Sequence, residues 1–287
     1  MANAFVNGTQ VASAMIGGLV DAGILINTVW RDANSQLQAG KGDTINIRRP
    51  ATGTATNFSG TASTTDHTTN TVAVTLDHQP YEQVQVGTAD KALKVEDFYG
   101  EIVAPRVAGI AEYLEDQIAA TLQGTSTGEV SGSDAAAAVQ EAYKAAGEAK
   151  WPSTGRYLAC SPAFAAKLLG PTLSAADVRG DGGAALQGAV LGNLFGFTVI
   201  ASSHIDDQAT TFEPQAVAYH RTAVAAAFRT PPAPEGGAMA ATASAYGMSA
   251  RVVMDWSNSS LADVLTADTL AGFTLSEDAR AIPVQIG

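Results

Sequence analysis

The fold of this chain is decided by GDTINIRR (42–49) and by ATGTATNFSGTASTTDHTTNT (51–71), which follows it. Within residues 51–71, Asp66 is the only side chain from the set Asp, Glu, Lys and Arg. A loop of this length without a core of its own is uncommon inside a compact domain, and it usually has a function or is disordered. The pattern therefore predicts an arm that reaches for another molecule.

Strands are predicted on both sides of this Thr-rich loop. Apolar residues alternate with polar or small ones over residues 43–48, 71–76 and 83–86, which is the period-2 pattern of half-buried strands. The last two strands flank a turn at Pro80 and predict an antiparallel ribbon over residues 72–88. A two-stranded hairpin is marginal in water by itself, so this ribbon needs a surface to lie on.

A solitary long helix is predicted over residues 104–123. Pro105 suits its first turn, where the missing N–H is not needed, and Gly124 suits its end. A helix of this length spans about 30 Å. Its apolar positions step by three or four residues and are Val107, Ile110, Leu114, Ile118 and Leu122.

The N-terminal region predicts a further helix over residues 9–32, weakened by Gly17 and Gly18. Sequence alone leaves open whether this helix packs on its own domain or extends as an arm. Residues 92–103 predict a short helix, and residues 125–133 a Gly/Ser/Thr linker.

The second half of the chain mixes helices and strands. A helix capped by Ser133 or Asp134 carries Val139, Ala142, Tyr143 and Ala146 along one side, and another begins at Pro162 after a Ser161 cap. Residues 170–188 predict an exposed loop. The remaining segments predict a strand RYLAC (156–160), a hairpin VLGNLFGFTVIAS (190–202) turning at Gly192-Asn193, a strand running into a short helix AVAYHRTAVAAAF (216–228), and strands SARVVMDW (249–256) and AIPVQI (281–286). Elements in this order indicate an α+β fold.

The composition points away from an ordinary soluble surface. Hydrophobic residues make up 46% of the 287 residues and charged residues only 15%, which is low for a soluble protein. Few charges suggest a surface covered by neighbouring subunits; the alternative is a merely Ala- and Thr-rich soluble protein. The net charge of −12 disfavours a nucleic-acid reader, which shows a basic footprint, and is compatible with a container for DNA.

Little in the sequence can carry chemistry. Cys160 stands alone and follows a strand, which favours a buried core thiol over a nucleophile. The four histidines show no metal-ligand spacing, and no P-loop, Rossmann fingerprint or nucleophile elbow is present. We therefore expect no enzyme, no cofactor and no metal site. No basic residue precedes Arg31, so we expect no secretion signal. The apolar run 15–26 is too short to span a membrane. We therefore expect the protein to be made in a cytoplasm.

Several segments in collinear order resemble the major capsid (coat) proteins of tailed bacteriophages, and most closely those of the short-tailed phages. They are GDTINIRRP (42–50), LDHQPYEQVQVGTADKALKVEDF (76–98), GFTVIASSHI (196–205), AVAYHRTAVAAAF (216–228) and SARVVMDW (249–256). The resemblance implies the Johnson fold of the Hong Kong phage capsid. It assigns an N-terminal arm to residues 1–40, the E-loop with its β-ribbon to 41–90, a peripheral domain with the spine helix 104–123 to 91–154, and an axial domain to 155–287, whose C-terminal strands return to the peripheral domain.

The resemblance also implies the function. The chain would be a structural subunit of an icosahedral virion shell, built from pentamers and hexamers around double-stranded DNA that is not read by sequence. Scaffolding, portal and decoration proteins would be further partners. Some short-tailed-phage members carry a long insertion after the hairpin near Phe197, whereas only residues 202–214 occupy that place here. Extra stabilisation is then expected from the arm or a decoration protein. No fused scaffold segment precedes residue 1, so we expect a separate scaffold or none.

Six residues form the interface predicted under this interpretation. Arg48 and Arg49 would pair with acidic side chains of a neighbour, and Phe58 would anchor in a neighbouring pocket or tuck against its own loop. Trp30, Glu96 and Asp97 complete the set. The paired carboxylates Glu96-Asp97 and Glu115-Asp116 are interpreted as a solvated face or an intersubunit salt bridge.

Two other functions stay open at this stage. A cellular nanocompartment shell of the encapsulin type would share the fold and would be recognised by a groove for a cargo peptide. A Thr-rich surface or adhesin-type protein is the remoter alternative and would require a secretion signal.

Overall fold

The computed structural model describes residues 8–31, 44–49, 55, 57–58, 60, 70–87, 103–169, 192–205, 215–235, 238–259 and 262–287. The predicted helix over 92–103, apart from Val103, and the predicted loop over 170–188 lie outside this part of the chain.

The described residues form four α-helices and fourteen strands, which confirms the α+β class. The helices are α1 (Gly8–Ala22), α2 (Ala104–Gln123), α3 (Ala135–Glu148) and α4 (Pro162–Leu168), with 3-10 turns at Leu25–Asn27 and Asp278–Arg280. The strands are β1 (Thr44–Arg49), β2 (Asn70–Thr75), β3 (Tyr81–Gly87), β4 (Val130–Gly132), β5 (Arg156–Cys160), β6 (Asn193–Leu194), β7 (Phe197–Ala201), β8 (Ala216–His220), β9 (Val224–Arg229), β10 (Met239–Ala245), β11 (Met248–Ser257), β12 (Ala262–Asp268), β13 (Leu270–Leu275) and β14 (Ala281–Ile286).

The helices begin where their caps allow. The spine-like helix α2 has the predicted bounds, with Pro105 in its first turn. For α3 the cap is Asp134, whose carboxylate accepts from the Ala137 N–H at 2.8 Å. For α4 it is Ser161, whose hydroxyl accepts from the Phe164 N–H at 3.2 Å. Such caps satisfy N–H groups that the first turn leaves without a helical partner.

Two sheets organise most of the described chain. The larger has the order β4-β14-β8-β5-β7-β6 and the smaller the order β10-β11-β12-β3, counted over the described strands. One face of the larger sheet packs on α3 and α4 through side chains such as Leu158, Phe164 and Ala218. Its other face contributes Val217 and Tyr219 to a second, larger core.

This larger core joins both sheets to α1 and α2. Met15 and Leu19 of α1 pack there with Leu114 of α2, and the inner face of the smaller sheet supplies Val252 and Leu265. α1 is buried against the body of its own chain, which is one of the two placements that the sequence left open for this helix. The assignment of residues 1–40 to an N-terminal arm stays a prediction. The predicted helix 9–32 ends at Ala22, and the 3-10 turn follows.

The predicted 72–88 ribbon is wrong in its pairing. Strand β2 pairs with β1, from Thr44 opposite Thr75 to Arg49 opposite Asn70, whereas β3 pairs with β12. The Thr-rich segment is therefore the loop of a β1–β2 hairpin. A period-2 pattern identifies the buried face of a strand but not its partner, and here Ile45, Ile47 and Val74 are buried together on β9.

Smaller corrections concern turns and an alanine-rich run. The hairpin of residues 190–202 turns at Phe195 and Gly196, whose φ angles of 46° and 77° are both left-handed. Residues 224–229 form the strand β9 and not a helix, since every residue from Val224 to Phe228 is buried and tertiary contacts override the helix propensity of alanine. Tyr143 of α3 is half-exposed, whereas Val139, Ala142 and Ala146 are buried, and the predicted linker contains β4.

Gly272 of β13 fixes how closely the hairpin approaches the body. A Cβ built on Gly272 would lie 2.1 Å from the Thr75 carbonyl oxygen. We expect Gly272→Ala to lower the free energy of unfolding by about 1–3 kcal/mol, the usual cost of overpacking. Gly17 of α1 is the matched control, because its Cβ would meet nothing within 4 Å and alanine favours a helix by about 1 kcal/mol. Urea unfolding of both variants measures the difference, and equal effects would contradict the close approach.

Candidate assembly interface

The β1–β2 hairpin carries the exposed part of the predicted interface. Phe58, in its loop, is 70% exposed in the single chain and is not tucked away. Arg48, near the end of β1, is exposed as well and lies opposite Thr71. The hairpin therefore presents an aromatic ring and a guanidinium group on a segment that contains little other charge.

The base of the hairpin is fixed to the body by a small cluster. Ile45, Ile47 and Val74 are buried against Ala225 and Ala227 of β9, and Trp30 packs on the same cluster. Trp30 also extends the β9 edge: its N–H donates to the Val224 carbonyl at 3.0 Å, and its carbonyl accepts from the Ala226 N–H at 3.0 Å. Trp30 thus connects the base of the hairpin to β9.

The segment before Trp30 is held by a buried carboxylate of α2. Glu115 is only 3% exposed, and its two oxygens accept from the Leu25 N–H at 2.8 Å and the Ile26 N–H at 2.9 Å. These N–H groups open the 3-10 turn, so Glu115 acts as its cap from a distant helix. Burial raises the pKa of Glu115, and the hydrogen bonds from the turn oppose that rise only in part.

A second polar contact fixes the end of the same turn. The Thr28 hydroxyl donates to the Leu25 carbonyl at 2.7 Å and accepts from the Tyr219 hydroxyl at 2.6 Å. Tyr219 is fully buried in β8, and burial raises the pKa of its phenol. The turn is therefore held by α2 on one side and by the larger sheet on the other.

The six predicted interface residues are only partly brought together. Arg48 and Phe58 lie on the hairpin and Trp30 at its base. The side chain of Arg49 lies outside the described residues, as do Glu96 and Asp97 entirely.

The interpretation of Glu115-Asp116 as a solvated pair is wrong for Glu115, which is buried within its own chain. Asp116 is exposed, and its carboxylate lies 2.6 Å from Nδ1 of His204. Glu115 is the residue that sequence reasoning missed. A signal existed, because Ala111 and Ala119 flank it one turn away on each side and leave room for another segment to approach.

The other ionisable groups in the core are structural. Burial raises the pKa of the Cys160 thiol to about 12, which keeps it protonated and unreactive. His220 donates from Nε2 to the Thr154 carbonyl at 3.1 Å and accepts at Nδ1 from the Thr222 hydroxyl at 2.8 Å. Burial and the nearby Arg280 lower the pKa of His220, so the neutral ring is favoured.

Among the described residues, two kinds of feature are absent. No group of three or more His, Cys, Asp or Glu side chains lies together as a metal site would require. No helix there combines the length and the apolar character needed to cross a membrane.

The backbone is similar to solved phage structures over most of its length. A chain of Mycobacterium phage Che8 aligns with a TM-score of 0.66 at 20% identity, over 91% of this chain and 90% of that one. A chain of the capsid of Cyanophage P-SCSP1u gives 0.63 at 15% identity, over 92% and 88%. A chain of the mature capsid of bacteriophage PhiM1 gives 0.57 at 13% identity, over 90% and 87%. No protein-family model and no curated protein matches the sequence.

At these identities the similarity establishes the fold. The chain has the fold of the phage capsid structures that it matches, and this confirms, at the level of the fold, the resemblance drawn from the sequence.

Glu115 generates a prediction about stability. Glu115→Ala leaves two buried N–H groups without an acceptor, at about 1–3 kcal/mol each. Glu115→Gln keeps one acceptor oxygen and should lose less. Urea unfolding of both variants beside the wild type measures the order, and a Glu115→Ala variant as stable as Glu115→Gln would contradict the cap.

The wild type and Glu115→Gln also test how stability depends on pH. Because the pKa of Glu115 is raised in the folded state, its contribution is greatest below the unfolded Glu pKa of about 4.3 and falls as the pH rises through the folded value. The stability of the wild type relative to Glu115→Gln should therefore decrease over that window. A relative increase with pH would show that the hydrogen bonds outweigh desolvation.

Proposed function

We propose that this chain is the structural subunit of the capsid shell of a tailed DNA bacteriophage. The observation that carries the proposal is the agreement with two capsid structures over about nine-tenths of both chains. The exposed hairpin supports it, because an arm with few charges and an exposed aromatic ring suits a contact with a neighbouring copy.

The elements receive roles within this proposal. The β1–β2 hairpin with its loop is the E-loop, and α2 is the spine helix of a peripheral domain that includes the smaller sheet. The larger sheet with α4 is the axial domain, around which copies meet as pentamers and hexamers. We assign α3 to it as well, in place of the peripheral domain expected over 91–154, because α3 packs on this sheet. The N-terminal arm is proposed for residues 1–40, with α1 as the part of it that packs on the body of its own chain.

The interface residues act through the hairpin. Phe58 is proposed to seat in an apolar pocket of a neighbouring subunit, and Arg48 and Arg49 to pair with acidic side chains there. Glu96 and Asp97 are proposed as the acidic partners, and Trp30 as the support that keeps the hairpin at a fixed angle to the body.

The shell would enclose double-stranded DNA without reading it. A net charge of −12 repels phosphate, so the inner wall would not adhere to the genome during filling. Scaffolding, portal and decoration proteins would assist assembly, which would take place in the cytoplasm of a bacterial host.

Removing the hairpin loop tests the function most directly. Deletion of residues 52–70 leaves Arg48 opposite Thr71, joined by a three-residue connection that is common in hairpins. We expect a folded chain with an unfolding midpoint close to that of the wild type, but no closed shells by negative-stain electron microscopy. Wild-type protein examined in parallel should form shells large enough for a genome.

Three outcomes would contradict the proposal in different ways. Normal shells from the deletion variant would remove the hairpin from the assembly contacts. Wild-type protein that stays monomeric at every concentration would overturn the capsid function. Small uniform cages with protein cargo would indicate a cellular nanocompartment.

Phe58 is expected to carry much of the hairpin contact. Phe58→Ala should raise the protein concentration needed for shell formation by about tenfold or more, as the loss of a buried aromatic anchor does at other interfaces, while leaving the unfolding midpoint unchanged. Tyr81→Ala, at a similarly exposed aromatic residue on β3, is the control. Light scattering against concentration measures both, and equal effects of the two changes would contradict an anchor at Phe58.

A further inference from the structure

Strand β10 is an open, uncharged edge of the smaller sheet. Its sequence MAATASA (239–245) contains neither a charged residue nor proline. It pairs with β11 without interruption, from Met239 opposite Met254 to Ala245 opposite Met248. No strand among the described residues pairs with its other edge. Edge strands of soluble proteins are usually protected by Lys, Pro, a bulge or a covering segment, because an unprotected edge recruits another strand.

The strand is self-complementary about its centre. If two copies run antiparallel with Thr242 opposite Thr242, then Ala241 faces Ala243 and Ala240 faces Ser244. Every pair is small and uncharged, so the pairing brings no like charges and no bulky side chains together. Opposed threonines are a favourable cross-strand pair.

The two ends of the strand carry exposed apolar side chains. Met239 at the start is 75% exposed, and Tyr246 just past the end is 72% exposed. In the antiparallel register Met239 faces Ala245 of the other copy, so the exposed apolar end of each strand meets the opposite end of its partner. The twofold relation gives this contact twice.

Tyr246 adds a further observation. Its φ angle is 53°, a left-handed value that is rare for bulky residues and costs about 1–3 kcal/mol. Asn or Gly would fit this turn position with less strain. The turn keeps a strained aromatic residue that is exposed in the single chain, which is understandable if a partner covers it.

We propose that β10 pairs with β10 of a second copy of this chain, antiparallel about a local twofold axis, so that the two smaller sheets become one continuous sheet. The contact is isologous and uses strand addition at a sheet edge. The β10 pairing rests on the proposed capsid function in one respect, because it would be a contact through which shell subunits join. The inner face of β10 stays covered by α1 in each copy, so pairing requires no refolding.

Cysteine substitutions on the outer face test the register. Opposed residues of antiparallel strands have Cα atoms about 4.5–5.5 Å apart, within the range of a disulfide bond. Thr242→Cys should therefore give a disulfide dimer on mild oxidation, seen by non-reducing electrophoresis. The native Cys160 does not interfere, because it is buried and the pKa of its thiol is raised to about 12.

Ser244→Cys provides the matched control. In the proposed register two copies of residue 244 lie four positions out of register, about 13 Å apart at 3.3 Å per residue, so this variant alone should not cross-link. Mixed with Ala240→Cys, which faces residue 244, it should form a heterodimer. Equal cross-linking by Thr242→Cys and Ser244→Cys would overturn the register.

Charge substitutions test whether the pairing matters for assembly. Thr242 is exposed, so the fold should tolerate Thr242→Glu. This change sets two carboxylates opposite each other across the twofold axis, and assembly should fall sharply. An equimolar mixture with Thr242→Lys should restore assembly, because opposite charges then face each other, whereas Thr242→Val alone should assemble as the wild type does.

The outcomes separate this inference from the proposed function. Normal shells from Thr242→Glu alone, together with no disulfide from Thr242→Cys, would overturn the edge pairing and leave the capsid function standing. If Thr242→Cys forms disulfide dimers while the wild-type protein forms no shells, the pairing would be supported and the capsid function contradicted.

Discussion

The hydrogen bonds from Leu25 and Ile26 to the Glu115 carboxylate join the 3-10 turn to α2 inside an apolar core. The 3-10 turn has two N–H groups that no residue of its own can satisfy, and both lie in the core. Since an unsatisfied buried donor costs about 1–3 kcal/mol and a whole domain is stable by only about 5–15 kcal/mol, the turn cannot slide along α2. The buried carboxylate thus gives this crossing a defined position, which apolar side chains alone would specify less strictly.

That position is transmitted to the hairpin through short, direct contacts. Thr28 fixes the end of the turn to Tyr219 in the larger sheet, and Trp30 then joins the β9 edge two residues later. The hairpin base packs on β9 and Trp30 together. A two-stranded hairpin is marginal alone, so its direction is set by this support. Gly272 permits the approach, because any side chain there would meet the Thr75 carbonyl.

The sequence predicted the elements better than their partners. The bounds of α2 followed from Pro105 and the apolar stripe, and the caps at Asp134 and Ser161 followed from local chemistry. Pairing β2 with β1 instead of β3 could not be predicted, because alternation defines a buried face and says nothing of which strand lies beside it. β9 was mistaken for a helix because alanine favours helices until burial on both faces decides otherwise. Glu115 was missed because a charged residue is expected outside, and the predicted interface stays a prediction since no contact between copies tests Arg48 or Phe58.

Only 15% of the residues are charged, and two surfaces with few charges, the β1–β2 hairpin and strand β10, are exposed in the single chain. In the contacts proposed above, the hairpin presents Phe58 to a surface unlike itself, which would be a heterologous contact, whereas β10 pairs with itself, which would be an isologous one. A heterologous contact repeated alone gives a ring or an open filament, and an isologous contact alone stops at a dimer. A chain that has one of each can join rings through twofold contacts, and rings joined in this way can close into a shell of identical subunits.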